Sequence, residues 1–166
     1  MRIGEGFEGE GANAAHINLL LGDNAELGSA FALAAASPGP GHIPFLTVIK
    51  PNVPVKPFTL FVAKAALQGE RHERMTWGPA QAGVAAGVTR ALIDGVLPAE
   101  AEERWLVIAL VWVDPNADDA EAVFANNRAA SFSACGRALA AGWPNRETLK
   151  AALASISNPF FTPGVS

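Results

Sequence analysis

The segment that most constrains the fold is 13–22, Asn-Ala-Ala-His-Ile-Asn-Leu-Leu-Leu-Gly, because its side chains alternate in the manner of a β-strand. One face of this strand is purely apolar and suits a core: Ile17, Leu19 and Leu21. The other face presents His16 and Asn18, an imidazole and an amide that point the same way. Gly22 and Asp23 supply turn residues that end the strand. We therefore predict that this strand forms one wall of an active site, with His16 as its acid or base.

The rest of the chain predicts one domain, 1–166, of α/β (α+β) class, in which a mixed sheet packs with helices. The other predicted strands are 2–8, 45–49, 59–66 and 105–113. The last is nearly all apolar and is predicted to be central, buried on both faces. The predicted helices are 23–36, with Asp23 and Glu26 as a capping box, 78–93, 118–141 (ending near Gly142) and 146–156. Segment 50–57, with three prolines, is predicted to be a stiff, extended connection, and the tail from about residue 157 to be irregular.

Two connections carry predictions about polar side chains. Segment 68–74 is charged and is predicted to be a turn, which places His72 in solvent. Gly78 and Pro79 are predicted to be the N-cap and first residue of a helix. Gln81 would then lie beside unpaired backbone N–H groups, which attract polar or anionic ligand atoms; the alternative is an ordinary surface residue.

Composition excludes several classes of function. The net charge of -4 argues against a nucleic-acid partner, since binding phosphates requires a basic face. The single cysteine, Cys135, excludes an internal disulfide and a cysteine-based zinc site. No apolar run approaches the length of a membrane span and no signal sequence is apparent, so we expect a cytoplasmic protein. Charged residues are only 17% of the chain, and the alanine-rich helix around 27–36 favours burial against a second subunit; the alternative is a tightly packed monomer.

Few residues could carry chemistry. His16 is either a satisfied core histidine or a working one, and its ordinary pKa near 6.5 suits proton transfer. Lys64 lies in an apolar strand, so it marks a strand end or points into a polar pocket. His42 sits in a Gly/Pro loop, where a surface position is favoured over a site. No metal-binding cluster, phosphate-binding loop or nucleophile elbow is present in the sequence.

Three segments in register give the chain a family resemblance: 15–22 (AHINLLLG), 51–60 (PNVPVKPFTL) and 78–85 (GPAQAGVA). Together they resemble the formaldehyde-activating enzyme family, and 97–99 and 118–120 agree at matching spacings. The resemblance implies condensation of formaldehyde with tetrahydromethanopterin, a co-substrate, to give methylene-tetrahydromethanopterin and water, the reaction of a hydro-lyase. It also implies a fold like the second domain of ribosomal protein S5 and a homopentamer with sites between subunits. No metal is implied.

The resemblance assigns roles to individual residues. His16 matches the catalytic acid, and the pterin-contacting positions are matched by Leu46, Lys64 and Gln81. Two further binding positions differ from the family: Asn18 replaces an aspartate and Ala66 a threonine. The amide at Asn18 removes a negative charge and replaces an acceptor oxygen by a donor, and Ala66 lacks a hydroxyl.

These differences leave more than one function open. The first expectation is an enzyme in which His16 assists the condensation. The alternative is a paralogue that binds formaldehyde or a reduced pterin, as sensor or carrier, without turnover or with altered specificity. A third is an unrelated α/β domain in which His16 is a core residue.

Overall fold

The strand predicted around His16 is present as β2, and it lies second in a mixed five-stranded sheet. The computed structural model describes residues 1–40, 43–140, 144–158 and 162–164. Its strands are β1 (Arg2–Glu8), β2 (Ala15–Asp23), β3 (Pro44–Leu46), β4 (Val48–Lys50), β5 (Val53–Pro54), β6 (Phe58–Ala63) and β7 (Trp105–Trp112). Its helices are α1 (Asn24–Ala36), α2 (Gly69–Met75), α3 (Gln81–Ile93), α4 (Ala101–Arg104), α5 (Ala120–Leu139) and α6 (Arg146–Leu153).

The strand order in the sheet is β1-β2-β7-β6-β3, and β4 and β5 form a separate ribbon. All neighbours in the main sheet are antiparallel except β6 and β7, which are parallel. The α+β class with a mixed sheet is therefore confirmed. The prediction that the apolar segment near residue 110 is a central strand is also confirmed, because β7 is third of five.

The two faces of the sheet carry different helices. The larger core contains Ile17, Leu19 and Leu21, packed with apolar side chains from α3 and α5. The opposite face carries a smaller cluster in which Leu27 of α1 packs with β6 and β7. His16 and Asn18 belong to this second face and lie toward the end of the sheet, beyond the side chains that pack with α1.

Close packing of α5 determines how β1 presents its side chains. A Cβ at Gly4 would lie 2.0 Å from the carbonyl oxygen of Ala134, and one at Gly6 would lie 2.0 Å from that of Ala130. Only glycine permits the backbone of α5 to approach a strand this closely. Since alternate residues of a strand face opposite sides, Glu5 projects from the face that carries His16.

Two predicted strand boundaries are wrong. The predicted strand 45–49 is divided at Thr47, whose backbone N–H donates to Thr59 O at 2.9 Å while its carbonyl accepts from Val55 N. After this residue the chain leaves β6 and forms the β4–β5 ribbon, so segment 50–57 is only partly a connection. The predicted strand 59–66 ends at Ala63, which leaves Lys64 directly after the strand.

The predicted solvent-exposed turn at 68–74 is also wrong, because this segment forms α2 and buries its histidine. His72 is 2% exposed. Its Nδ1 accepts from the backbone N–H of Gln68 at 3.0 Å, and its Nε2–H donates to the carbonyl of Val113 at 3.0 Å. Both ring nitrogens therefore make hydrogen bonds within the fold, one with Gln68 before α2 and the other with Val113 after β7.

Gly78 and Pro79 do not begin a helix, contrary to prediction. They lie inside a π-helical turn, Thr76–Ala80, that joins α2 to α3 without a break. Proline has no N–H to donate within a helix, and a wider turn accommodates this loss. The N–H of Gln81 is bonded to carbonyls of the preceding turn, including that of Thr76. The predicted group of unpaired N–H donors around Gln81 is thus wrong.

The other helices largely follow the prediction. Asp23 caps α1 by accepting from Ala25 N at 2.9 Å, although Glu26 bonds the amino group of Met1 and does not complete a capping box. Asp119 caps α5, which ends at Leu139; the predicted end near Gly142 lies outside the described residues, as do His42 and part of the tail. No helix in the described ranges is long and apolar enough to cross a membrane.

Candidate functional site

The candidate site lies at the end of the sheet where β2 begins and β1, β6 and β7 end. The register places His16 between Phe7 on β1 and Trp112 on β7. The last residue of β6, Ala63, pairs with Val111 of β7, so Lys64 follows at the position beside Trp112. β2 runs antiparallel to β1 and β7, and β7 runs parallel to β6. The start of β2 therefore lies beside the ends of the other three strands, and side chains from all four meet there on one face.

Glu5 and His16 form the first polar pair of the site. The Nε2–H of His16 donates to Oε1 of Glu5 at 2.7 Å, and the ring of Phe7 meets the imidazole edge-on at a centroid distance of 6.2 Å. The side chain of His16 is 16% exposed and that of Glu5 is 54% exposed. The imidazole is therefore held in a fixed orientation at the boundary with solvent, and the core-histidine interpretation is not supported.

Sequence reasoning did not identify Glu5 as a site residue. The signal available was the alternation Gly4-Glu5-Gly6, in which two glycines face one side and the carboxylate faces the other. The pairing register of β1 with β2, which brings the carboxylate to the imidazole, is not encoded in either strand alone.

Lys64 and Asn18 form the second polar pair. Nζ of Lys64 donates to Oδ1 of Asn18 at 2.6 Å and to the carbonyl oxygen of His16 at 3.4 Å. Burial lowers the pKa of Lys64 from 10.5 to about 8, while the negative charge of Glu5 acts in the opposite direction. Lys64 thus follows a strand end, as one of the two predictions had it, and its Nζ contacts polar atoms of β2.

The remaining predicted binding residues lie on other elements than His16. Leu46 pairs with Leu60, four residues before Lys64, which corresponds to roughly 13 Å along the strand. Gln81 begins α3, a helix of the opposite face, and its Nε2 donates to the carbonyl of Val48 at 3.2 Å. Ala66 is exposed in the loop after β6.

The described residues contain no group of three or more His, Cys, Asp or Glu side chains that could hold a metal ion. Cys135 is buried, and burial raises the pKa of its thiol to about 12, which does not suit a nucleophile. The site's chemistry is therefore that of an imidazole oriented by a carboxylate, next to a partly buried amine. Such a set can transfer protons and bind a small carbonyl compound.

Comparison with known proteins agrees with the resemblance found in the sequence. The sequence model of the formaldehyde-activating enzyme (Fae) family matches residues 3–161. The bifunctional enzyme Fae/Hps of Methanococcoides burtonii is 39% identical over 150 residues, which are 90% of this chain and 38% of that protein. Proteins of the same name are 36% identical over 149 residues in Methanosarcina mazei (89% and 38%) and 37% over 139 residues in Archaeoglobus fulgidus (83% and 35%). The chain thus spans less than two-fifths of the length of these relatives.

Proposed function

Because the chain belongs to the formaldehyde-activating enzyme family, we propose that it condenses formaldehyde with tetrahydromethanopterin to give methylene-tetrahydromethanopterin and water. This is the reaction of a hydro-lyase, and it would take place in the cytoplasm. The observation that carries the proposal is the orientation of His16 by Glu5 at the open end of the sheet. The site needs no metal for this chemistry, because every step is an addition, a proton transfer or a loss of water.

In the proposed mechanism His16 is the general acid. Addition of a pterin amine to formaldehyde converts the aldehyde oxygen into a hydroxyl group. His16 gives a proton to that hydroxyl, which then leaves as water, so that a methylene iminium ion remains on the pterin nitrogen. A second pterin amine adds to the methylene carbon, the C=N π bond breaks, and the proton lost from that amine restores the acid form of His16. Glu5 is a positioning residue, because a carboxylate bonded to the ring fixes the direction in which the imidazole presents its proton. Holding the two reactants together supplies the rest of the acceleration.

Leu46 and Gln81 belong to this account if a neighbouring subunit completes the site. They lie on other elements than His16, Leu46 on β3 and Gln81 at the start of α3, and Gln81 bonds the β4–β5 ribbon. The neighbouring strands expose large apolar side chains: Leu46, Val48, Ile49, Val53 and Phe58. A group of exposed apolar residues of this kind is typical of a protein–protein interface. We therefore include a homopentamer, in which this surface meets the His16 region of the next subunit, in the proposal.

A non-catalytic binding protein is the second candidate, and the Lys64–Asn18 contact favours it. Oδ1 of Asn18 is already an acceptor for Lys64 at 2.6 Å. An amide offers a pterin N–H one neutral acceptor oxygen where a carboxylate would offer two charged ones. In this candidate the protein binds formaldehyde or a reduced pterin, as sensor or carrier, without turnover.

The two candidates differ in a measured rate. Purified protein is mixed with formaldehyde and tetrahydromethanopterin at pH 6, 7 and 8, and formation of the methylene product is compared with the spontaneous reaction. The enzyme proposal predicts acceleration that scales with protein concentration. Absence of acceleration at all three pH values would contradict it, and titration calorimetry with each reactant would then test the binding candidate.

A further inference from the structure

Lys64 occupies an unusual electrostatic position for a lysine. Its Nζ donates to a neutral amide oxygen of Asn18 and to the carbonyl oxygen of His16. Among the described residues no carboxylate lies within ion-pair distance of it. The charged group that acts on it is Glu5 from β1, and its contact with His16 of β2 is to the backbone carbonyl, not to the imidazole. The residue of β7 at this position is Trp112, which does not titrate. The carboxylate of Glu5 is bonded to His16.

This environment favours the neutral amine. Partial burial disfavours the ammonium ion and lowers the pKa of Lys64 to about 8. At pH 7 this leaves about a tenth of the amine neutral, against about three in ten thousand for a lysine with the ordinary pKa of 10.5. A lysine whose amine is partly desolvated, and so more often neutral, is the kind of nucleophile that captures carbonyl compounds as Schiff bases.

We propose that Nζ of Lys64 is a nucleophile that captures formaldehyde reversibly beside His16. This inference rests on the proposed function for its substrate. The lone pair of Nζ forms a bond to the aldehyde carbon, the C=O π bond breaks, and one proton moves from nitrogen to oxygen. The product is an N-hydroxymethyl group on Lys64. With a proton from His16, that hydroxyl leaves as water and a methylene iminium ion remains on Nζ.

Two features of the site support this assignment. Nζ lies 3.4 Å from the backbone oxygen of His16, so an adduct would form next to the residue that carries the acid. Asn18 accepts a hydrogen bond from Nζ without supplying a negative charge that would stabilise the ammonium form. The captured carbon would therefore be held at the site, ready for an acceptor amine.

Reductive methylation tests the inference directly. The whole protein is treated at pH 7 with limiting formaldehyde and cyanoborohydride, which reduces an iminium ion to a methylamine, and each lysine is quantified by peptide mass spectrometry. Lys64 is expected to be modified at least ten times faster than the exposed controls Lys50 and Lys150, despite its partial burial. Equal or slower modification of Lys64 overturns the inference.

A matched variant isolates the cause. Asn18→Asp places a carboxylate beside Nζ, which raises the pKa of Lys64. The modification of Lys64 is therefore expected to slow at least fivefold, while the modification rates of Lys50 and Lys150 stay unchanged. An unaltered Lys64 rate in a folded Asn18→Asp protein also contradicts the inference. The condensation assay is run separately. Catalysis without selective modification overturns only the capture step, whereas selective modification without catalysis supports capture and contradicts the proposed enzyme.

Discussion

Oε1 of Glu5 lies 2.7 Å from Nε2 of His16, although the strand register pairs Glu5 with Asn18 and pairs His16 with Phe7. The contact is therefore diagonal across two antiparallel strands, a separation that long side chains can span. The geometry follows from Gly4 and Gly6, which face α5 and direct the carboxylate to the other side of the sheet. A residue of the first strand thus orients the proposed acid of the second.

Glu5→Ala is expected to lower the acceleration of the condensation by about tenfold, because the imidazole loses the group that fixes its orientation. Glu5→Gln keeps a hydrogen-bonding group of the same size and should retain more of the rate. The measurement is kcat and KM for both variants across pH 6–8. A positioning role predicts that kcat falls while KM for the pterin changes little; an equal effect of both substitutions on KM alone would contradict it.

Partly buried Lys64 and buried Cys135 both make the free energy of unfolding depend on pH in the alkaline range, with opposite signs. The pKa of Lys64 is lowered from 10.5 to about 8 on folding, so the unfolded chain binds more protons between these values and stability rises with pH. The pKa of Cys135 is raised from 9.0 to about 12, so the folded chain holds the proton more tightly and stability falls with pH across that range. The sequence contains no tyrosine to complicate the measurement.

Single variants separate these contributions in urea unfolding at pH 7 to 10.5. Relative to wild type, Lys64→Met should lose the rise in unfolding free energy above pH 8. Cys135→Ala should lose the decline above pH 9. If the difference between Lys64→Met and wild type is the same at every pH, Lys64 does not change protonation on folding.

Gly6→Ala is expected to destabilise the protein by about 1–3 kcal/mol, because the added Cβ must displace the backbone of α5. The carbonyl oxygen of Ala130 would be 2.0 Å from that Cβ. Gly39→Ala is the control, since nothing lies within 4 Å of a Cβ at that position. The free energy of unfolding in urea measures both, and equal stabilities would refute the close packing of β1 on α5.

Ile49→Asp is expected to dissociate the proposed oligomer, because it places a charge in the exposed apolar surface formed by β3, the β4–β5 ribbon and β6. Leu33→Asp, on the exposed side of α1, is the control. Light scattering coupled to size-exclusion chromatography gives the mass of each variant. Dissociation by Leu33→Asp but not by Ile49→Asp would show that the interface lies on the alanine-rich helix instead. A monomeric wild-type protein would contradict the proposed oligomer.

The sequence was most informative where local chemistry determines local structure. Side-chain alternation predicted β2 and its two faces, and Asp23 indicated the start of α1. It also placed His16 and Asn18 on one surface. These features depend on neighbouring residues only, and long-range packing did not change them.

Features that depend on distant partners could not be predicted. His72 is buried because Val113, 41 residues away, accepts from its ring, and a charged local sequence gave no indication of this. Pro79 was predicted to begin a helix because it has no N–H to donate. The same property is compatible with a π-helical turn inside a longer helix, which is where it lies. The contact of Glu5 with His16 required the register of β1 on β2.

The central claim is that His16 supplies the proton for loss of water, and His16→Ala tests it most directly. The rate of methylene-tetrahydromethanopterin formation above the spontaneous reaction is measured for wild type and variant at saturating concentrations of both reactants. The account predicts that the variant binds the pterin but loses acceleration by a factor of about 10² to 10⁴. A folded His16→Ala protein with wild-type acceleration would contradict it.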